Sequence, residues 1–411
     1  YPFQAEAGLG GRGTLLGTNV LAGGGAFCYD PFEAYTQGMV DGPNMIVAGM
    51  VGSGKSASTK MQIFRSVGVF GSPGGAPRWV VIYDPKGEYT ALAEALGLHI
   101  LRLRPGGVTR INPLDPGPGS AGDDRDALLR CRADLVSNLL SSVLRRDLSQ
   151  MEHAVLGWII AGLTDSKRVV EPTLEDVARA LLEPPERVLA RARCGTVDDF
   201  IDKMTDVRLC LGRLLDGSLK GMFDGRTTER VDWAGRGLVI DVSAVFHDSV
   251  ALPLVMLCAT SWTQQVFTAH AEDNRRRYQL IDECWAVLRD EHTAKSFQAA
   301  WKLSRTYGVS NIAVVHRISD LGAQSDTGTS ASKVAEGLLS DSDTRVLFRQ
   351  PNEEMDTAVR SLGLTSTEAA LLPRLVKGRA LWKVKSQTAV VQHQLTGTEL
   401  AITNTDGNMT V

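Results

Sequence analysis

The octapeptide Gly49-Met50-Val51-Gly52-Ser53-Gly54-Lys55-Ser56 constrains this chain more than any other feature. It fits G-x-x-x-x-G-K-[ST], a pattern that works only where a buried strand leads into it and a helix leads out. Both neighbours are present: Met45-Ile46-Val47-Ala48 is a continuous apolar run, and the stretch from Lys55 to about Val67 has helical periodicity. The glycines let successive backbone N–H groups turn inward around phosphate oxygens, and the first helical turn adds its dipole. Lys55 is then placed to neutralise the β and γ phosphates and the Ser56 hydroxyl to ligate Mg2+. The candidate nucleotide-binding residues are therefore Gly49, Gly52, Ser53, Gly54, Lys55, Ser56 and Ala57. A chance glycine-rich turn is the bland alternative, and the flanking strand and helix weigh against it.

A phosphate loop requires a sheet to hold it, and the apolar runs supply one. Trp79–Tyr83, Ile100–Leu103, Leu238–Asp241, Tyr278–Asp282, Ile312–Val315 and Arg345–Phe348 are short and apolar, with helical segments between most of them. Such runs predict a mostly parallel sheet buried on both faces. The glycine-rich first part, to about Tyr35, reads as one opening strand and loops, and Ala380–Val384 with Ala389–Gln392 reads as a terminal hairpin. From about Asp124 to Phe223 the texture is all helical. Leu128, Leu135, Leu139 and Val143 form an apolar stripe that Arg132 interrupts, and Thr173-Leu174-Glu175-Asp176 has the form of a capping box. The expected fold class is α/β, a P-loop NTPase with an all-helical insertion and a C-terminal β-hairpin. Residues 1–120 and 226–411 would form the two parts of the ATPase domain, with 121–225 as the insertion. At 411 residues the chain is long enough for such a division.

Phosphoryl transfer to water needs an acid to hold the magnesium shell and a second group to polarise the water. Asp282 and Glu283, at the end of an apolar strand, supply both: Asp282 for the metal, Glu283 as orienting group or base, beside Lys55 as the second catalytic candidate. Two solvated acids at a strand end would be the structural alternative. Asp84-Pro85-Lys86-Gly87-Glu88-Tyr89 falls at the same carboxyl edge, where open α/β sheets bind ligands, so Glu88 or Lys86 could touch the nucleotide or a neighbouring subunit. His316 ends another strand, where a polar side chain could sense the γ-phosphate. Arg305, Arg317, Arg345 and Arg349 are candidates for an arginine finger acting between subunits. Arg275-Arg276-Arg277 reads as a solvated start to a strand, or else as part of a basic channel lining.

Several other chemistries are excluded. The six cysteines form no C-x-x-C pair, which disfavours a zinc site or a disulfide framework. Lys plus Arg (44) nearly balances Asp plus Glu (47), which disfavours permanent residence on nucleic acid or anionic membrane, so DNA is a possible partner that the sequence does not indicate. Residues Ser249 to Ala271 lack Asp, Glu, Lys and Arg, yet Pro253, Ser261, Thr263, Gln264, Gln265 and His270 make them too polar for a lipid-exposed span. A helix buried on the sheet is expected there, with no transmembrane segment. Ser325 to Ser332 is expected to be a mobile loop. There is no GxSxG elbow, HExxH or kinase-like set, so nucleoside triphosphate hydrolysis is the one chemistry announced.

Together these motifs resemble the traffic ATPases of type IV secretion and conjugation systems, within the FtsK–HerA group of P-loop motors. The Asp84–Tyr89 segment, Ile111-Asn112-Pro113-Leu114-Asp115 before the helical block, Gly221-Met222-Phe223-Asp224-Gly225 after it, Ile281–Trp285 and the hairpin from Gly378 to Glu399 resemble that family's segments in the same order. His316 departs from it, standing where the family usually has glutamine; imidazole titrates near neutrality and an amide does not. The family's large N-terminal domain is absent and the chain begins Tyr1-Pro2-Phe3, so a fragment or a processed chain is expected. The resemblance implies an ATP- and Mg2+-dependent motor that self-assembles, often as a hexamer, with secretion-channel proteins as partners at the cytoplasmic face of the membrane. A DNA-pumping coupling protein of the same superfamily and a nucleotide-dependent scaffold are the competing readings.

Overall fold

Side-chain burial along the apolar runs dictates the architecture: Met45–Ala48, Arg78–Asp84, Gly237–Asp241 and Val309–Val315 are buried at every position. A strand buried on both sides must lie inside a sheet covered on both faces. The computed structural model describes residues 11–403 apart from 72–76, 116–124, 166–170, 218, 230, 233–234, 270–274, 287, 289 and 318–329. In chain order it contains β1 (Thr14–Asn19), β2 (Gly25–Tyr29), α1 (Pro31–Thr36), β3 (Met45–Ala48), α2 (Lys55–Val69), β4 (Arg78–Asp84), α3 (Thr90–Leu96) and β5 (His99–Arg102). A helical block follows: α4 (Arg125–Leu144), α5 (Gln150–Asp165), α6 (Leu174–Leu182), α7 (Glu186–Ala192), α8 (Val197–Lys203) and α9 (Thr205–Asp216). The sheet then resumes with β6 (Gly237–Asp241), α10 (Ala251–Ala269), β7 (Arg276–Ile281), α11 (Glu291–Lys302), β8 (Val309–Val315), α12 (Ser330–Ser340) and β9 (Thr344–Leu347). The chain closes with α13 (Met355–Leu362), α14 (Ser366–Leu371), β10 (Arg379–Val384), β11 (Gln387–His393) and α15 (Gly397–Thr403).

Among the described residues the strands form one eleven-stranded sheet in the order β2-β1-β11-β10-β9-β3-β8-β7-β4-β6-β5. The strands from β9 to β5 run parallel, while β10, β11, β1 and β2 add antiparallel pairs at one side. Register aligns the carboxyl ends: Ala48 pairs with Val315 and Leu347, and Tyr83 pairs with Ile281. The sheet is therefore mostly parallel, as expected, but its first part differs from the sequence reading. The glycine-rich start forms a two-stranded hairpin and the short helix α1, not a single strand with loops. Nearby side chains explain this: Asp30 caps α1 by accepting from the Phe32 and Glu33 amides, and the buried Arg78 guanidinium bonds the same carboxylate at 2.8 Å.

The two faces bury separate cores. Along β4, Trp79, Val81 and Tyr83 join one core while Val80 and Ile82 join the other, as the two-residue period requires. The first core continues through α10 and into the helical block, from Leu135 and Val136 on α4 to Leu211 on α9. The charge-free stretch is the buried helix α10, and among the described residues no helix is long and apolar enough to cross a membrane. Thr173 and Asp176 form the expected capping box at the start of α6. Arg132 breaks the apolar stripe for a structural reason: it is buried, donates to the Leu114 carbonyl at 2.9 Å and Thr164 Oγ1 at 3.0 Å, and pairs with Glu171.

The block leaves and rejoins the sheet at adjacent points. The Ile111 amide donates to the Met222 carbonyl (2.9 Å), the Asn112 amide to Thr227 Oγ1 (3.1 Å), and Arg110 Nε to Asp224 Oδ1 (2.7 Å). Asn112 Nδ2 also reaches the Pro172 carbonyl inside the block at 2.9 Å, so the Asn-Pro and Phe-Asp-Gly segments brace one junction. The proposed loop at 325–332 lies outside the described residues up to 329, and α12 begins at Ser330.

Candidate active site

The phosphate loop is shaped by close approach on one side and left-handed backbone on the other. A Cβ on Gly49 would stand 2.5 Å from Phe348 Cβ and 2.8 Å from Ser53 Oγ, so only glycine fits there. Gly52 and Gly54 have φ of 75° and 99°, in the region glycine enters without strain. The Gly49 amide bonds the Val315 carbonyl and the Met50 amide the Arg349 carbonyl, which pins the loop between β8 and the residues after β9. Ser53 Oγ closes the turn onto the Met50 carbonyl at 2.6 Å. Gly54, the residue before α2, offers no side-chain cap, so the first-turn N–H donors of this helix have no side-chain acceptor. A helix N-terminus without a side-chain cap fits a phosphate group.

The parallel register brings the other candidates to the same edge. Lys55 Nζ lies 3.2 Å from His316 Nδ1, and His316 Nε2 lies 2.7 Å from Glu283 Oε1. An ammonium only donates, so Nδ1 accepts and the imidazole proton sits on Nε2, aimed at Glu283. Lys86 Nζ pairs with the same Glu283 oxygen, and the Trp285 indole N–H donates to Oε2. Both carboxylate oxygens are therefore held by protein donors. Burial pushes the Glu283 carboxyl up, but the His316 and Lys86 contacts outweigh it and bring the pKa down to about 2. Its backbone is left-handed at φ 51°, strained for a residue other than glycine.

Asp282 is fully enclosed and differs from its neighbour. Burial, and then the charge of Glu283, push its carboxyl above the usual range, against the pull of Lys55 and Lys86. The Tyr89 hydroxyl donates to Asp282 Oδ2 at 3.1 Å. Burial also pushes the Lys55 ammonium down, with Asp282 and Glu283 pulling it back.

The remaining candidates are placed less centrally. Glu88 is half-buried, and its carbonyl accepts from the buried Lys60 at 2.7 Å. Arg317 and Arg349 are exposed at the same sheet edge. Arg345 is not available as a finger, because its guanidinium donates to the Leu362 and Leu339 carbonyls at 2.6 and 3.0 Å. Arg305 lies at the opposite edge, before β8, with Nη1 at 3.4 Å from the Asp41 carbonyl. The arginine run divides: Arg276 is exposed where it opens β7, as a solvated strand start requires, whereas Arg277 is buried and bonds the Tyr307 carbonyl at 3.0 Å, so it lines no channel.

No protein-family model and no curated protein matches the chain. Solved structures do match. One is VirB4 of Thermoanaerobacter pseudethanolicus, at a TM-score of 0.75 and 19% identity, covering 95% of this chain and 99% of that one. Another is the bacterial conjugative coupling protein TrwBdeltaN70, at 0.57 and 15%, covering 94% and 90%. A third is the plasmid coupling protein TrwB in complex with ADP and Mg2+, at 0.55 and 16%, covering 86% of each chain. The chain has the fold of VirB4 and TrwB.

Within that fold, the residues that dress the acids carry no motif of their own. Tyr89 leaves no local pattern because its bond to Asp282 joins segments far apart in the chain, and Trp285, although only two residues from Glu283, belongs to no spacing that announces a hydrogen bond. Gln350, buried after β9, donates to the His316 carbonyl at 3.4 Å. The end of an apolar strand would have been the signal for it, as it was for His316. Ser56 and Asp282 are the residues that would hold Mg2+; among the described residues no cluster of three or more His, Cys, Asp or Glu forms a metal cage. That donor set suits Mg2+, which keeps waters and phosphate oxygens as most of its ligands.

Proposed function

We propose that this chain is an ATP-hydrolysing motor serving a type IV secretion or conjugation machine, in assembly, substrate transfer or both. The observation that carries it is the meeting of Lys55, Glu283 and His316 in one hydrogen-bonded chain beside the phosphate loop, in a fold shared with VirB4 over nearly the whole length. Lys55 and the first-turn amides of α2, those of Ser56 and Ala57 among them, would bind the phosphates, with Gly49, Gly52, Ser53 and Gly54 shaping the loop. Mg2+, held by Ser56 and Asp282, would supply positive charge to the β and γ oxygens. Glu283, kept ionised, would orient the attacking water, for which Oε2 can accept a second hydrogen bond beside that of the Trp285 indole. His316 is our candidate for a γ-phosphate contact, and Arg317, Arg349 and Glu88 are candidates for contacts across a subunit boundary. We take residues 121–225 as a helical insertion in a P-loop domain formed by 1–120 and 226–411, and expect self-assembly, a hexamer being the form that the family resemblance implies, at the cytoplasmic face of a membrane beside channel proteins.

The test is the steady-state ATPase rate across a range of protein concentrations, with and without single-stranded DNA, using Glu283→Gln as the blank. Specific activity that rises with protein concentration and ignores DNA supports the secretion motor. Strong stimulation by DNA favours a DNA-pumping coupling protein. Nucleotide binding with turnover no higher than the blank leaves the scaffold reading.

A further inference from the structure

We propose that Lys86 is a positioning residue for Glu283, and that the loop from Asp84 to Tyr89 exists to present it. This rests on the ATPase reading above and assigns the loop a role inside its own subunit, not toward the nucleotide.

The loop is built around Asp84. Its carboxylate accepts the backbone N–H groups of Lys86 (3.2 Å), Glu88 (3.1 Å) and Tyr89 (2.9 Å), which curls the chain into a compact turn. Gly87, at φ 72°, supplies the left-handed residue that the turn requires. The turn is then fastened from the other side: the buried Lys60, on α2, donates to the Glu88 carbonyl at 2.7 Å and lies 4.7 Å above the Tyr89 ring. Held between the phosphate-loop helix and β7, the loop sends one polar side chain to each acid. Tyr89 reaches Asp282, and Lys86 reaches Glu283.

Charge and exposure favour this assignment over a phosphate contact. Glu283 is buried, with its side chain 4% exposed, whereas Lys86 is 32% exposed and reaches in from the rim. A buried carboxylate on a strained backbone needs a fixed cation to stay ionised and aimed. His316 shares Oε1 but also touches Lys55, so arriving phosphate would draw on that contact. Lys86 has no such competing bond to the phosphate loop among the contacts described, and can hold Glu283 while the other partners exchange.

The experiment uses the full chain with Lys86→Met and Lys86→Arg. In steady-state kinetics we expect Lys86→Met to lower kcat about 10- to 100-fold with KM for ATP changed less than about twofold, the pattern of an interaction that acts in the transition state. Lys86→Arg, which keeps the charge, should recover most of kcat. Unchanged kcat in Lys86→Met, or a raised KM at constant kcat, overturns the proposal; the second result would put the lysine on the phosphates.

A nucleotide-free arm keeps the two readings apart. Because the Trp285 indole bonds Glu283, Lys86→Met should shift the tryptophan emission of the resting protein and leave it unshifted in a Trp285→Phe background. A wild-type chain without turnover sinks the ATPase reading, while this emission difference still decides whether Lys86 positions Glu283. Equal emission changes in both backgrounds, or none in either, overturn that pairing.

Discussion

His393 shows how a side chain remote from the acids bears on the site. It ends β11, its Nε2 accepts from the Trp382 indole N–H at 3.2 Å, and its Nδ1–H donates to the Gly378 carbonyl at 3.1 Å. Gly378 in turn donates its amide to the Ser53 carbonyl of the phosphate loop at 2.9 Å. Burial pushes the His393 pKa down to about 4, against the pull of the Gly378 carbonyl. The sign follows from proton counting. Between about pH 6.5 and 4 the unfolded chain binds a proton that the folded chain refuses, so stability falls as pH falls through that window, by up to about 3 kcal/mol. Urea unfolding at pH 7.5, 6 and 5 should show this slope, and His393→Gln, whatever its own cost, should flatten it. Nothing in the sequence marked His393, because its partners lie across strands and in a turn. Lys55, Asp282 and Glu283 were legible, because their spacing from glycines and strand ends is local and chemical.

Elements were legible where burial is two-sided and hidden where pairing is distant. Strands β3, β4, β6 and β8 announce themselves as unbroken apolar runs, since both of their faces are covered. Strand β2 does not: Gly25 and Ala26 are exposed, and only Phe27 and Tyr29 are buried along it. Strand order is a matter of contacts between remote segments, which no window of sequence contains. Helix α14 illustrates a junction of the same kind. Glu368 completes a capping box with Thr365 and also takes the Lys383 ammonium at 2.8 Å and the Thr388 hydroxyl, tying α14 to both strands of the terminal hairpin. Burial would raise its carboxyl, but Lys383, Thr388 and the Thr365 amide outweigh it and bring the pKa down to about 2. This stabilisation is present above about pH 4.5 and lost as pH falls toward 2. Glu368→Gln should cost about 2 kcal/mol at neutral pH, as expected for charge-assisted bonds, with the difference from wild type closing near pH 2. Equal losses at both pH values in denaturant titrations would place the effect in packing instead.

At the scale of the molecule, the first strand and the phosphate loop are linked through the end of the chain. Strand β1 is paired to β11 on one side and β2 on the other, with a register shift between Leu15 and Gly17. A Cβ on Gly17 would stand 2.0 Å from the Gln392 carbonyl oxygen, a contact that only strand separation can relieve. The neighbouring Gln392 side chain bonds Arg379 Nε at 3.1 Å, and the His393 amide bonds the Gly378 carbonyl at 2.9 Å, so displacing β11 displaces the turn that holds Ser53. That turn is tight: a Cβ on Gly54 would meet the Gly378 amide at 2.9 Å. Gly17→Ala should therefore cost about 1–3 kcal/mol of stability, as overpacking does. It should also weaken binding of a non-hydrolysable ATP analogue about tenfold, equivalent to about 1.4 kcal/mol, with no contact to the nucleotide. Leu15→Ala is the matched control, since that side chain is 48% exposed on the same strand and its loss leaves the pairing with β11 intact. Calorimetry on both variants decides the matter. An affinity lost only in Gly17→Ala means that the antiparallel flank sets the shape of the phosphate loop, and equal affinities mean that β3 and α2 hold the loop unaided.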